Sequence, residues 1–86
     1  MDRYKAGMLA RSKAGHDAGN VYVIMDTDST YVYLADGRIR TVDRPKKKKI
    51  KHIELIRREH DVSEANDLQI RRILKEYADM RRTESV

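Results

Sequence analysis

The apolar residues change their spacing once along the chain, and that change limits the fold more than any other feature. From residue 8 to residue 54 they come in short runs, rich in β-branched and aromatic side chains and separated by turn residues, which is the pattern of strands. From Ser63 onward they recur every three or four residues, with Ile70, Ile73, Leu74, Tyr77 and Met80 on one stripe, the pattern of an amphipathic helix. A mainly β domain followed by a C-terminal helix is expected. In 86 residues there is room for one small core and one appended element.

Strands are predicted over 8–12, 20–26, 30–35, 38–42 and 50–55. The loop Lys13-Ala14-Gly15-His16-Asp17-Ala18-Gly19 joins the first two, and its glycines suit positive φ. Valine at Gly15 or Gly19 is expected to disturb this loop more than alanine at Asp17. Asp36-Gly37 suits a two-residue type I′ hairpin, which sets Leu34 opposite Ile39, Tyr33 opposite Arg40 and Val32 opposite Thr41. Alternation then assigns Val32, Leu34, Ile39 and Thr41 to the core, and Tyr31, Tyr33, Arg38, Arg40 and Val42 to the other face. That second face suits either stacking of a base or a cross-strand cation–π pair of Tyr33 with Arg40, and the residues leave both open.

The helix should begin near Ser63, with Asp61 and Glu64 as a capping box or Ser63 as a competing cap, and run for about 30 Å. Asp67 and Arg71 form an acid-first pair four apart, and Arg81 and Arg82 suit the negative end of the helix dipole. The stripe spans fewer than three heptads. Packing on the body of the domain is favoured over an intermolecular contact. No internal repeat is visible.

Charge is concentrated in one stretch. Residues 38–58 hold ten lysines or arginines against two acids, a net +8, whereas the whole chain is +5. Such a concentration is the electrostatic footprint of a phosphate-backbone binder. Pro45 interrupts hydrogen bonding, and Lys46, Lys47, Lys48 and Lys49 are expected to be exposed side by side. Replacing all four with alanine is then expected to weaken binding to a phosphate backbone and leave the fold intact. A polybasic membrane or nuclear address is the competing use of such a run, but residues 61–86 carry five bases and six acids, so no basic amphipathic helix accompanies it. Truncation before Ser63 should therefore spare that binding.

Three blocks of sequence carry a family likeness. They are Gly7 with Arg11-Ser12-Lys13-Ala14-Gly15-His16-Asp17-Ala18-Gly19, then Tyr33-Leu34-Ala35-Asp36-Gly37-Arg38-Ile39-Arg40, then Pro45-Lys46-Lys47-Lys48-Lys49-Ile50-Lys51-His52-Ile53. In this order, over about residues 7 to 55, they resemble the KOW-domain RNA-binding proteins, and among these the small bacterial relatives of the ribosomal protein L14e family. The resemblance implies a small SH3-like β-barrel of KOW type over 1–58, with 59–86 as a connector and a helix packed on the barrel or on a partner. It implies binding of structured RNA, commonly ribosomal RNA, in association with translation, with ribosomal proteins as further neighbours, and it carries no implication of catalysis. The residues assigned to RNA binding are Arg11, Lys13, Gly15, His16, Gly19, Tyr33, Arg38, Arg40, Arg44, Lys46, Lys47, Lys48, Lys49, Lys51 and His52. The chain departs from the family where His16 and Ala18 replace basic residues and Ala10 replaces a larger aliphatic, which moves weight from the loop to Arg38–Lys51.

One string invites a catalytic reading. Val23-Ile24-Met25-Asp26-Thr27-Asp28-Ser29-Thr30-Tyr31-Val32 resembles the metal-binding carboxylates of family B DNA polymerases and, more loosely, the nucleophile motif of haloacid-dehalogenase phosphatases. Both need further motifs on a far larger scaffold, so the string is read as a polar turn between strands and no enzyme activity is expected. His16, His52 and His60 lack metal-site spacing, and there is no cysteine for a thiolate, a disulfide or a nucleophile, so no metal or cofactor is expected. The absence of cysteine fits a reducing cytoplasm, and the start at Met1-Asp2-Arg3-Tyr4-Lys5 reads as uncleaved. A monomer is favoured. A protein-interaction module gripping a partner with Tyr22, Tyr31 and Tyr33, or with the Ile70–Met80 stripe, is the alternative to RNA binding.

Overall fold

A computed structural model describes residues 4–84; Met1 to Arg3, where the uncleaved start was read, lie outside it. Five strands are formed: β1 (Leu9–Ser12), β2 (Val21–Thr27), β3 (Tyr31–Ala35), β4 (Lys46–Lys49) and β5 (Ile53–Ile56). A single 3₁₀ turn (Ile50–His52) separates β4 from β5, and one helix, α1 (Asp67–Glu84), follows. The fold is mainly β with a C-terminal helix, as expected from the change in apolar spacing.

All pairings are antiparallel, in the order β4-β3-β2-β1-β5. The two edge strands, β4 and β5, are consecutive in the chain and joined by only the three residues of the 3₁₀ turn. Three residues at roughly 2 Å of rise each cannot cross a flat five-stranded sheet, so the sheet curls until its edges approach, as in a small open barrel. The backbone N–H of Ile50 donates to Thr30 O at 2.9 Å and seats the turn on the β2–β3 connection.

Curling gives the sheet two buried faces. Inside lie Met8, Ala10, Tyr22, Ile24, Val32, Leu34 and Ile53. Outside, Leu9, Val23 and Ala35 meet Val62, Ile70 and Tyr77, with Ile73 and Leu74 beside them. The stripe is thus spent on the chain's own sheet, and its last member, Met80, is 37% exposed. Burial on both faces explains why Val21 to Met25 is apolar without interruption. Met25 is an extra residue, a bulge between Ile24 and Asp26 in the pairing with β3.

Three expectations are corrected. Residues 38–42 form no strand, and β3 pairs instead with Lys46–Lys49, setting Tyr31 against Lys49, Val32 against Lys48, Tyr33 against Lys47 and Leu34 against Lys46. Asp36 is the reason: its Oδ1 accepts from the amides of Arg38 and Arg40, both at 2.9 Å, engaging N–H groups that a type I′ hairpin would direct elsewhere. Gly37 is drawn onto the helix, where Arg71 Nη1 donates to its carbonyl at 2.7 Å. Ile39, expected in the core, is 87% exposed, and Thr41 is half-buried.

Second, residues 50–52 are a 3₁₀ turn and the last strand begins at Ile53. Third, the helix begins at Asp67, capped reciprocally by Asn66 and Gln69: Gln69 N donates to Asn66 Oδ1 at 3.0 Å and Asn66 N to Gln69 Oε1 at 3.1 Å. Asp61 instead closes a turn with Ser63. Asp67 and Arg71 do not pair; Asp67 Oδ1 accepts from Val42 N at 2.8 Å, so both hold the 36–45 loop.

Candidate nucleic-acid interface

Lys46 to Lys49 are an edge strand, which settles how a run of four lysines is accommodated. Alternation sends Lys46 and Lys48 to the inner face and leaves Lys47 and Lys49 exposed, with Pro45 immediately before the strand where no ladder amide is needed. A short, lysine-rich edge also resists pairing with other chains. The expectation that all four are exposed is therefore corrected for two of them.

The inner pair converges on Asp17 from the β1–β2 loop. Lys46 Nζ donates to Asp17 Oδ2 at 2.8 Å and Lys48 Nζ to Oδ1 at 2.9 Å, while Ser12 Oγ and Tyr22 OH donate at 2.9 and 3.0 Å. Four donors fill one carboxylate whose side chain is 10% exposed. Burial opposes its ionised form, but Lys46 and Lys48, aided by Ser12 and Tyr22, outweigh this and hold the carboxyl far below the usual carboxylate range. Asp17 also pushes the Tyr22 hydroxyl in the direction burial does, upward. Sequence reasoning expected alanine at Asp17 to be milder than valine at the glycines, which these four donors correct; the signal available was a lone acid in a loop that follows Arg11 and Lys13. Gly15 and Gly19 take φ of +88° and +92° in this loop, as their positions suggested. His16 is exposed beside them.

The remaining assigned residues separate into three places. Arg11 leaves the interface: it donates to Glu54 Oε1 at 3.2 Å and to Tyr77 OH at 3.3 Å, under the helix. Arg38, Arg40 and Arg44 are exposed on the 36–45 loop. Lys13, Lys49 and Lys51 line a groove of about 480 Å³ with Tyr4, Ser29, Thr30, Ile50 and Ile53. No acid is among these lining residues. Lys13 is brought there by its own amide, which donates to His52 O at 2.9 Å; His52 is half-buried behind it.

Between groove and loop lies the outer face of β3 and β4. Lys47 Nζ sits 4.2 Å from the centroid of the Tyr31 ring, so the cation–π contact on this face joins Tyr31 to Lys47 and not Tyr33 to Arg40. Tyr33 OH donates to Asp28 Oδ2 at 3.1 Å, which raises the tyrosine's pKa.

The acids of the string 23–32 are engaged locally. Asp28 Oδ1 accepts from Thr30 N and Tyr31 N at 2.8 and 2.7 Å, which lowers its pKa, and Asp26 Oδ1 accepts from Thr27 N at 2.8 Å. They build the β2–β3 turn. Among the described residues, no cluster of His, Asp or Glu is arranged to hold a metal ion. A larger groove of about 640 Å³ over Met25, Tyr33, Val42 and Val62 has Asp26 and Asp61 in its lining and no lysine or arginine, so phosphate does not belong there. No helix of the described residues is long and apolar enough to cross a membrane.

Comparison with protein-family models matches none of them, and comparison with curated proteins yields no significant relative.

Proposed function

We propose that the chain binds structured RNA through its phosphate backbone, without catalysis, in association with the ribosome or another part of the translation machinery. The observation that carries this is the groove in which Lys13, Lys49 and Lys51 meet with no acid among its lining. Three ammonium groups held around one concavity repel one another, and a phosphate relieves that repulsion. Ser29 and Thr30 add hydroxyl donors beside them. Lys47, on the same exposed side of the edge strand as Lys49, extends the basic surface toward Arg38, Arg40 and Arg44. The likeness of residues 7 to 55 to KOW-domain proteins supports the same reading. Of the residues that a protein-interaction module would use, Tyr22 is buried and the stripe from Ile70 to Tyr77 packs on the chain's own sheet, while Tyr31 carries Lys47 over its ring and Tyr33 donates to Asp28.

The test is the salt dependence of binding to a structured RNA hairpin. Alanine at Lys13, Lys49 and Lys51 together should reduce the slope of log affinity against log salt by roughly two, at about 0.7 to 0.9 per lost phosphate contact. An unchanged slope would exclude the groove from the interface. Ribosomal association predicts that the protein sediments with a subunit at low salt and is released at high salt.

A further inference from the structure

Ile39 is the most exposed large hydrophobic residue among those described, at 87%, against 46% for Leu68 and 37% for Met80. It stands at the apex of a turn, a place where glycine, asparagine, aspartate and serine are the usual occupants and a β-branched side chain serves no local purpose. The turn around it is firmly held. Asp36 N and Gly37 N both donate to Arg40 O, at 2.8 and 3.1 Å, and the Asp36 carboxylate accepts from the amides of Arg38 and Arg40. Gly37 is buried against the helix, and Arg71 clamps its carbonyl. A rigid base thus presents one apolar side chain outward between two exposed arginines, Arg38 and Arg40, with Arg44 exposed on the same loop.

We propose that Ile39 is an apolar wedge that enters between bases of the bound RNA at an unpaired or weakly stacked step, while Arg38 and Arg40 hold the phosphates on either side. The proposal rests on the RNA-binding reading and adds to it a contact that the lysine groove does not make. The partner must be anionic at its surface and apolar just beneath it. A nucleic acid satisfies both requirements at every base step, and inserted isoleucine or leucine wedges are a known way of opening one. An anionic membrane has the same two properties, but one isoleucine buries too few methylenes to hold a protein at a bilayer, since even a whole acyl chain does so only marginally. Rigidity favours the wedge as well, because a tip already ordered loses little freedom on insertion.

The experiment compares the full chain with its Ile39→Ala variant on two RNA hairpins, one fully paired and one with a single bulged nucleotide next to 2-aminopurine. Because the side chain is exposed, the substitution should leave the melting temperature unchanged. The wild-type chain should bind the bulged hairpin more tightly and raise 2-aminopurine fluorescence as the base unstacks. Ile39→Ala should lose roughly tenfold in affinity for the bulged hairpin, as expected when most of a buried isoleucine side chain is removed, and lose the fluorescence rise. Its salt slope should stay the same, since no phosphate contact is removed. Retained affinity and fluorescence in Ile39→Ala would overturn the wedge while leaving RNA binding in place. Binding to neither hairpin by the wild-type chain would overturn the RNA reading itself, and with it the wedge. Isoleucine-dependent binding to phosphatidylserine vesicles, with no such dependence on RNA, would assign the tip to lipid and also overturn it.

Discussion

Asp17 and Lys48 face each other across 2.9 Å, each with a side chain 10% exposed, and they fasten the β1–β2 loop to the far edge of the sheet. No backbone ladder joins those two regions, because β4 pairs only with β3. The ion pair, extended by Lys46, Ser12 and Tyr22, therefore ties the loop to the edge strand through side chains. Removing one member of such a group leaves the opposite charge without a partner. Asp17→Ala should lower stability by roughly 3 kcal/mol, somewhat eased because both lysine stems are long enough to reach solvent. Urea unfolding measures this, and a loss comparable to that of an exposed surface substitution would show that the clasp does not hold the barrel.

The same carboxylate sets a pH dependence. Its folded pKa is depressed below the unfolded value of about 3.9, so the stability it contributes is complete above that value and is lost as pH falls below about 4. Asp17→Asn should be less stable than the wild type at pH 7 and should lose stability more gradually between about pH 4 and pH 2. Asp28 and Asp61, lowered by backbone amides and by Ser63 respectively, leave a residual slope in both proteins. Parallel urea midpoints for the two proteins across that interval would remove Asp17 from the acid transition.

Alternation along β4 separates stability from binding within four residues. Replacing Lys46 and Lys48 with alanine should cost roughly 2–3 kcal/mol, since Asp17 keeps only its two hydroxyl donors. Replacing Lys47 and Lys49 should change stability by no more than about 0.5 kcal/mol and weaken RNA binding. Alanine at all four positions, read from sequence as harmless to the fold, combines the two effects. Equal melting temperatures for the two double variants would contradict the alternation.

The parts of the fold that were legible in sequence are those decided by apolar spacing. The strands at Leu9–Ser12, Val21–Thr27 and Tyr31–Ala35 and the helix stripe follow from burial, and burial is written into residue type. The fourth strand was not legible, because four lysines carry no strand signal; they form one because β3 offers an open edge and the Asp17 carboxylate accepts from both inward lysines. Arg38-Ile39-Arg40 carries a better strand pattern, and it loses to a side-chain carboxylate that captures two of its amides. The basic groove was legible in charge but not in place: Lys13 joins Lys49 and Lys51 through a pairing between residues nearly forty positions apart.

Gly37 marks where the 36–45 loop meets the helix. Its φ is +78°, and an added Cβ would collide with the Asp67 carbonyl oxygen and lie 2.8 Å from Arg71 Cγ. Gly19 has a φ of +92° with open space around it. Gly37→Ala should therefore cost roughly 3 kcal/mol or more, and Gly19→Ala only the left-handed strain of about 1 kcal/mol. Because the loop carries Ile39, Gly37→Ala should also disturb RNA contacts that Gly19→Ala leaves alone. Similar melting temperatures for the two variants would mean that the helix yields easily at Gly37.

Ile70 is fully buried between α1 and the outer face of the sheet, in one cluster with Leu9, Val23 and Ala35, each also at 0% exposure. Ile70→Ala removes three carbons from that layer and should cost roughly 3 kcal/mol, within the usual range for such a cavity. Cutting the chain before Ser63 is more severe, because it bares all three sheet residues to water, and the shortened chain should no longer unfold as one cooperative unit. That differs from the sequence-based expectation of a barrel that keeps its binding after truncation. The point substitution therefore separates the two roles better. No helix residue lines the lysine groove, so Ile70→Ala should bind RNA as tightly as the wild type at temperatures well below its lowered melting point. A melting temperature equal to that of the wild type would show that the stripe does not hold the sheet, and a loss of RNA affinity in the still-folded variant would extend the interface onto the helix.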